Sequence, residues 1–102
     1  MMNKNMIKQA HQLQKRMVQL QEELETATVE GSAGGGVVKV VVTGKMTVLS
    51  VKIDPEAVSK EEVDLLEDLV LTAINDGLEK SQEMANKKMS AITGGLKIPG
   101  LM

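Results

Sequence analysis

The sequence contains no cysteine and no aromatic residue. Without thiols the chain can form neither a disulfide nor a thiolate metal site, a composition compatible with the cytosol. Without rings, the core must be built from Val, Leu, Ile, Met and Ala, each of which buries less area than an aromatic side chain. A single domain of 102 residues with such a core is marginal alone. We therefore expect a second subunit to contribute to its stability.

Long apolar runs are missing as well. Residues 1–8 contain none, so we expect no signal peptide, and no stretch approaches the ~20 apolar residues of a membrane span. The formal net charge of −2 argues mildly against nucleic acid as the partner. The charge is unevenly distributed, however, because both ends of the chain are basic and its middle is acidic.

A long helix is predicted over about residues 59–93. Ser59 and Glu62 have the spacing of a capping box, and acids occupy the first turn, where the helix dipole favours them. The glycines at 94 and 95 would end the helix and leave a tail over residues 94–102. About 34 residues give roughly 50 Å of helix.

A first helix is predicted over about residues 3–25. Its apolar residues step by four and three, which is typical of the a/d seam of a helix that packs on a partner helix. The seam residues are Met6, Ala10, Leu13, Met17, Leu20 and Leu24.

Three strands are predicted between the helices, over about residues 26–33, 37–43 and 47–53, as an antiparallel meander. The fold class is therefore α+β, with a helix, a three-stranded antiparallel sheet and a long helix. Alternation directs the following residues of the last two strands inward: Val38, Val40, Val42, Leu49, Val51 and Ile53.

The lengths of these elements do not match. Strands of about seven residues span roughly 23 Å, half the length of the second helix, and the first half of that helix is apolar on nearly every side. A symmetric homodimer resolves the mismatch, because this half then packs on its own sheet and on its twin. A monomer with a bent helix is the alternative. The candidate interface residues are Leu65, Leu66, Leu69, Val70, Ala73 and Ile74.

Three features invite a catalytic or ligand-binding interpretation, and a structural role explains each better. The glycine run at 31–36 leads into a valine strand rather than a helix, so a flexible turn is favoured over a phosphate-binding loop. The acids at the start of the second helix favour the helix itself. His11 is the only histidine and has no acid near it in sequence. We therefore expect no enzyme, no cofactor, no metal and no small-molecule substrate.

The basic residues gather at the two ends of the chain, which would meet if the start of the first helix packs against the end of the second. Two such clusters in a dimer suit the phosphates of duplex DNA. A single arginine and no aromatic residue indicate little base readout. A solvated helix face is the alternative. The candidate DNA-binding residues are Lys4, Lys8, His11, Lys15, Arg16, Lys80, Lys87, Lys88 and Lys97.

Six short segments occur in order along essentially the whole chain: QEEL at 21–24, VEGSAGGGVV at 29–38, IDP at 53–55, LEDLV at 66–70, AIND at 73–76, and the tail from Gly95-Leu96 to Pro99-Gly100. In these segments the chain resembles the YbaB/EbfC family of bacterial nucleoid-associated proteins. The resemblance implies a tweezer-shaped homodimer of helix–three-strand–helix subunits that binds DNA through its helical arms. It also implies a location in the cytoplasm, on the nucleoid, and a regulatory role is a further expectation.

Two other functions stay open on the residues alone. The heptad seam of the first helix could grip another protein, which makes a protein–protein adaptor the main alternative. A membrane-surface module is less favoured, because the first helix lacks Trp and Phe anchors.

Overall fold

The computed structural model describes residues 3–93 and confirms the expected α+β order. The elements are α1 (Lys4–Thr26), β1 (Thr28–Ala33), β2 (Val38–Thr43), β3 (Val48–Ile53) and α2 (Val63–Thr93). The strands form one antiparallel sheet in the order β1-β2-β3.

A 3₁₀ turn at Lys60–Glu62 precedes α2, so the α-helix begins later than predicted. The Ser59 hydroxyl accepts the Glu61 amide at 3.3 Å and donates to the Glu61 carboxylate at 2.9 Å. The predicted pairing of Ser59 with Glu62 is wrong, because the 3₁₀ turn commits the Glu62 amide to the Ser59 carbonyl at 3.1 Å. The predicted helix end at Gly94-Gly95 and the tail lie outside the described residues.

The core lies between one face of the sheet and α2. Val38, Val40 and Val42 of β2 are fully buried, which confirms the alternation predicted for this strand. Ala73 of α2 is fully buried against them. The valine face of β2 therefore forms the centre of the core.

Two glycines set the distance between α2 and β1. A Cβ on Gly31 would lie 2.3 Å from the Gly77 amide nitrogen and 2.4 Å from the Ala73 carbonyl oxygen. A Cβ on Gly77 would lie 2.7 Å from Cγ2 of Val42. The helix can cross the sheet at this distance only because neither glycine carries a side chain.

Within the described residues, the third strand is left largely uncovered by the helices. α2 packs across β1 and β2, which leaves Leu49 of β3 59% exposed and Val51 44% exposed. The expectation that these residues face inward holds for Val51, which pairs with the buried Val40, but within residues 3–93 neither Leu49 nor Val51 is covered, although Ile53 packs against the core. A shift of register adds to the difference, because it pairs Val42 with Val48 and leaves Leu49 out of the ladder.

The first helix runs antiparallel to α2 and contacts it through the C-terminal part of its seam. Leu20 and Leu24 are buried, whereas residues toward the start of α1 are exposed. Leu20 lines a groove with Ile92, one residue short of the described end of α2. Residues 4–15 therefore extend past that end by about 18 Å at 1.5 Å per residue, and we call them the arm tip. The molecule is correspondingly elongated, at 69 × 25 × 17 Å.

Candidate nucleic-acid interface

The arm tip carries a basic row. Lys4, Lys8, His11 and Lys15 recur at alternating spacings of four and three, so they share one side of α1. All four are exposed, and none forms an ion pair within residues 3–93. Cations near a helix start are unfavourable for the helix, which begins here at an Asn3 side chain that accepts the Met6 amide at 2.8 Å. The row thus has no local stabilising role and keeps its charge available to an external anion.

Lys80, by contrast, is engaged by its own fold. Its ammonium group lies 3.0 Å from the Asp76 carboxylate and donates to the Glu30 carbonyl at 3.3 Å. Asp76 also accepts the Ser32 amide at 3.0 Å. The Ser32 amide first, and Lys80 second, lower the pKa of Asp76 from its usual 3.8. These contacts hold α2 along the free edge of β1, so Lys80 is already paired within its own fold.

Lys88 is also partly engaged, because it pairs with Glu23 of α1 at 3.5 Å. Arg16 lines the same groove between the helices, so the structure brings Arg16 and Lys88 together as expected. Lys87 is exposed beside them on α2. In the basic row, Lys4, Lys8 and His11 lie farther out along α1, whereas Lys15 directly precedes Arg16. The remaining candidate, residue 97, lies outside the described part of the chain.

An apolar groove runs between β3 and the first half of α2. Leu71 in its wall is 58% exposed, whereas Leu65, which is 52% exposed, lies on another side of α2 and outside the lining. Ala73, which the sequence assigns to the same surface, is fully buried in the chain's own core, so its side chain is already covered without a second subunit. The groove is lined by Ile53, Val63, Leu66, Glu67, Val70, Leu71 and Ile74, and Leu69 packs nearby on the core.

The other candidate features of the sequence form no ligand site here. Within residues 3–93, no three His, Asp or Glu side chains are grouped closely enough to hold a metal ion. Gly34, Gly35 and Gly36 adopt positive φ in a short turn that joins β1 to β2, and a strand rather than a helix follows them. Neither of the two long helices, as far as the structure describes them, is apolar enough to cross a membrane.

Two basic residues on the sheet were missed by sequence reasoning. Lys39 of β2 lies directly opposite Lys52 of β3, and both are exposed. Alternation places them on the face of the sheet away from Val38 and Val40. The polar positions of both strands are readable in the sequence, but only the register brings the two lysines side by side.

Known proteins resemble this chain over nearly its whole length. A nucleoid-associated protein of Syntrophobacter fumaroxidans is 55% identical over 97 residues, which cover 95% of this chain and 88% of that protein. A nucleoid-associated protein of Desulforamulus reducens is 55% identical over 100 residues, covering 98% and 94%. The crystal structure of an uncharacterized protein from Helicobacter pylori matches with a TM-score of 0.71 at 23% identity, over 92% of this chain and 98% of that chain, which shows a shared fold.

The family itself follows from a match over residues 1–96 to the profile of the YbaB/EbfC DNA-binding family. That match spans both helices and the whole sheet, and its description names DNA binding rather than catalysis. The chain therefore belongs to the YbaB/EbfC DNA-binding family.

Proposed function

We propose that this protein is a nucleoid-associated protein of the bacterial cytoplasm that binds duplex DNA as a homodimer through its arm tips. The observation that carries the proposal is the basic row, which projects past the described end of α2 and makes no ion pair within residues 3–93. Membership of a DNA-binding family, and relatives that are called nucleoid-associated proteins, support it. Occupancy of DNA by such a dimer would also give the protein a means of regulating gene expression.

The apolar groove supports the homodimer. Leu71 of α2 and Leu49 and Val51 of β3 are large apolar side chains left in water by the protomer. Burying each of them fully contributes about 1.5–3 kcal/mol. A two-fold axis beside the groove would cover both copies of this surface at once, since each subunit offers the same patch to the other. Two arm tips per dimer would then form the tweezer expected of the family.

The composition of the basic row supports contact with phosphates rather than with bases. Lysine interacts with phosphate as a point charge, whereas bidentate contact with guanine favours arginine, of which the chain has one. Stacking on unpaired bases needs aromatic rings, and the chain has none. Binding should therefore vary little with DNA sequence and strongly with salt.

The oligomeric state is tested first. Light scattering at micromolar concentration should give twice the 11.0 kDa of one chain. Leu71→Asp should shift the protein to single subunits, because burying an unpaired carboxylate in the interface costs more free energy than leaving it in water. Val18→Asp is the matched control, since Val18 is also exposed but lies on α1 away from the groove, and it should remain dimeric. A wild-type chain that is well folded as a single subunit would refute the dimer.

DNA binding is tested by titrating duplexes of unrelated sequence at several salt concentrations. The logarithm of affinity should fall with the logarithm of salt by about 0.9 for each phosphate neutralised. Alanine at Lys4, Lys8 and Lys15 together should lower that slope and weaken binding to all duplexes alike. Lys60→Ala is the control, because it removes one exposed charge beside the acids of α2, and it should bind as the wild type. Unchanged affinity of the triple variant would remove the basic row from the mechanism.

The adaptor remains the alternative, and one observation favours it. Met6 and Ala10 of the seam are exposed, as is Ile7 beside them, so the outer part of the seam is uncovered within residues 3–93. An adaptor would retain one protein partner in fixed stoichiometry in a pull-down, and it would release DNA at moderate salt. Substitution of Met6 and Ile7 by serine would then abolish capture, whereas the DNA-binding proposal expects the same variant to bind duplexes normally.

A further inference from the structure

The face of the sheet that points away from α2 presents two lysines in direct register. Lys39 of β2 has Lys52 of β3 as its partner on one side and Ser32 of β1 on the other. Both lysines are exposed, as is Ser50 in the adjacent row of β3. α2 packs on the opposite, valine face, and Leu24 of α1 reaches only the hairpin at Gly44. This row, Lys39 and Lys52 with Ser32 and Ser50 beside them, is called the outer face.

The pairing of these two lysines is unfavourable for the sheet on its own. Side chains directly opposite one another in an antiparallel pair have Cβ atoms about 4.5–5.5 Å apart, and like charges at that distance destabilise it. Within residues 3–93 neither lysine has an acidic partner. The acid of β1, Glu30, is opposite Val41 and lines a groove with Lys80 and Lys87 at the far edge. The fold therefore holds two neighbouring positive charges without neutralising either.

We propose that the outer face is a second contact site for the phosphate backbone of duplex DNA, separate from the arm tips. The inference rests on the function proposed above and extends it. A phosphate that approaches between Lys39 and Lys52 would meet two ammonium groups, with the hydroxyl of Ser50 nearby as a donor. A sheet face of this kind lies against the backbone and does not enter a groove, so the contact adds affinity without sequence information.

The test compares lysine-to-glutamine variants of the full chain on duplexes of unrelated sequence at several salt concentrations. The double variant, Lys39→Gln with Lys52→Gln, should lower the slope of log affinity against log salt by about 0.9 for each outer face that contacts DNA, because the two lysines meet one phosphate, and each single variant should lower it by less. The loss should be equal on all duplexes. Lys60→Gln removes the same charge elsewhere and should leave the slope unchanged. A double variant with the slope and affinity of Lys60→Gln would overturn the inference.

A charge-reversal variant separates binding from folding. Lys39→Glu places opposite charges in register with Lys52, so its thermal midpoint should equal or exceed that of the wild type. Its DNA affinity should nevertheless be lower than that of Lys39→Gln. An affinity equal to that of the wild type, with a thermal midpoint that has not fallen, would overturn the inference. If the arm-tip variants lose affinity and the outer-face variants do not, this inference alone fails; if the wild type binds no duplex, the proposed function fails with it.

Discussion

The close approach of α2 to β1 gives the sharpest prediction about the fold. In Gly31→Ala the new Cβ would lie 2.3 Å from the Gly77 amide nitrogen and 2.4 Å from the Ala73 carbonyl oxygen. Both neighbours are helix backbone, which cannot rotate away as a side chain can. α2 must therefore move outward by about an ångström, and it would pull Ala73 away from the buried valines of β2.

The expected loss of unfolding free energy in Gly31→Ala is the difference between two opposing effects. Overpacking of a core costs typically about 1–3 kcal/mol, and a backbone obstacle places Gly31→Ala at the upper end of that range or above it. Replacing glycine by alanine also lowers the conformational entropy of the unfolded chain, which stabilises the folded state by about 0.4–1 kcal/mol. The net loss should be about 2 kcal/mol or more. With a urea m-value of about 2 kcal/mol/M, the midpoint of unfolding should fall by about 1 M or more.

Urea unfolding at one fixed protein concentration is the assay, because dimerisation makes the midpoint depend on concentration. Gly35→Ala is the matched control: no atom lies within 4 Å of its Cβ, and the only penalty comes from its φ of +69°. That penalty is about 1–2 kcal/mol, and the lower entropy of the unfolded chain offsets part of it. The control should therefore unfold at a higher urea concentration than Gly31→Ala. An equal or smaller loss for Gly31→Ala would show that α2 does not rest on β1 as described.

Three further predictions concern the packing of α1, a buried hydroxyl and a carboxylate. Leu20→Ala should destabilise the protein by about 2–5 kcal/mol in urea unfolding, because Leu20 is buried between the helices. Glu23→Gln should cost under about 1 kcal/mol, since the Glu23–Lys88 pair is largely in solvent. Equal losses for the two variants would contradict this difference in burial. Ser81→Ala should cost about 1 kcal/mol in the same assay, because it removes the 2.6 Å hydrogen bond that the Ser81 hydroxyl donates to the Thr43 carbonyl. The cost stays small because this carbonyl still accepts a hydrogen bond from the Met46 amide. An unchanged midpoint of unfolding would show that the Ser81 hydrogen bond does not contribute to stability. Because the pKa of Asp76 is lowered, its carboxylate contributes stability above pH of about 3.8, the usual pKa, and this contribution is lost as pH falls through the lowered pKa. Below pH 3.8 the thermal midpoint should therefore fall less in Asp76→Asn than in the wild type. Parallel plots of thermal midpoint against pH for the two proteins would refute the role of the carboxylate.

Much of the fold was predictable because its local patterns are unambiguous. Alternating valines in β2, the four–three spacing in α1 and the long run without proline before Gly94 each match one regular structure and no other. The bounds of α1 and of the strands agree with the structure to within two residues. The basic row of the arm tip was readable for the same reason, since helical periodicity alone puts Lys4 and Lys8 on one face.

The sideways position of α2 could not be read from the chain. Periodicity says which face of a helix is apolar, but it does not say which strands that face will cover. Here the position depends on the fit of Gly31 against Gly77, and it leaves Leu49 and Val51 open where alternation alone directs them inward. The apolar groove between α2 and β3 is a consequence of that fit.

The roles of individual lysines were likewise decided by contacts between distant segments. In sequence Lys80 and Lys4 are equivalent charges, yet Asp76 and the Glu30 carbonyl hold the first while the second has no partner within residues 3–93. The row of Lys39 and Lys52 exists only because the register of β2 and β3 aligns them. The sequence by itself thus determined which elements form and which surfaces are charged or apolar, because those depend on near neighbours along the chain. The tertiary structure alone decided which charges stay unpaired and which apolar residues stay uncovered, because those depend on how the elements pack.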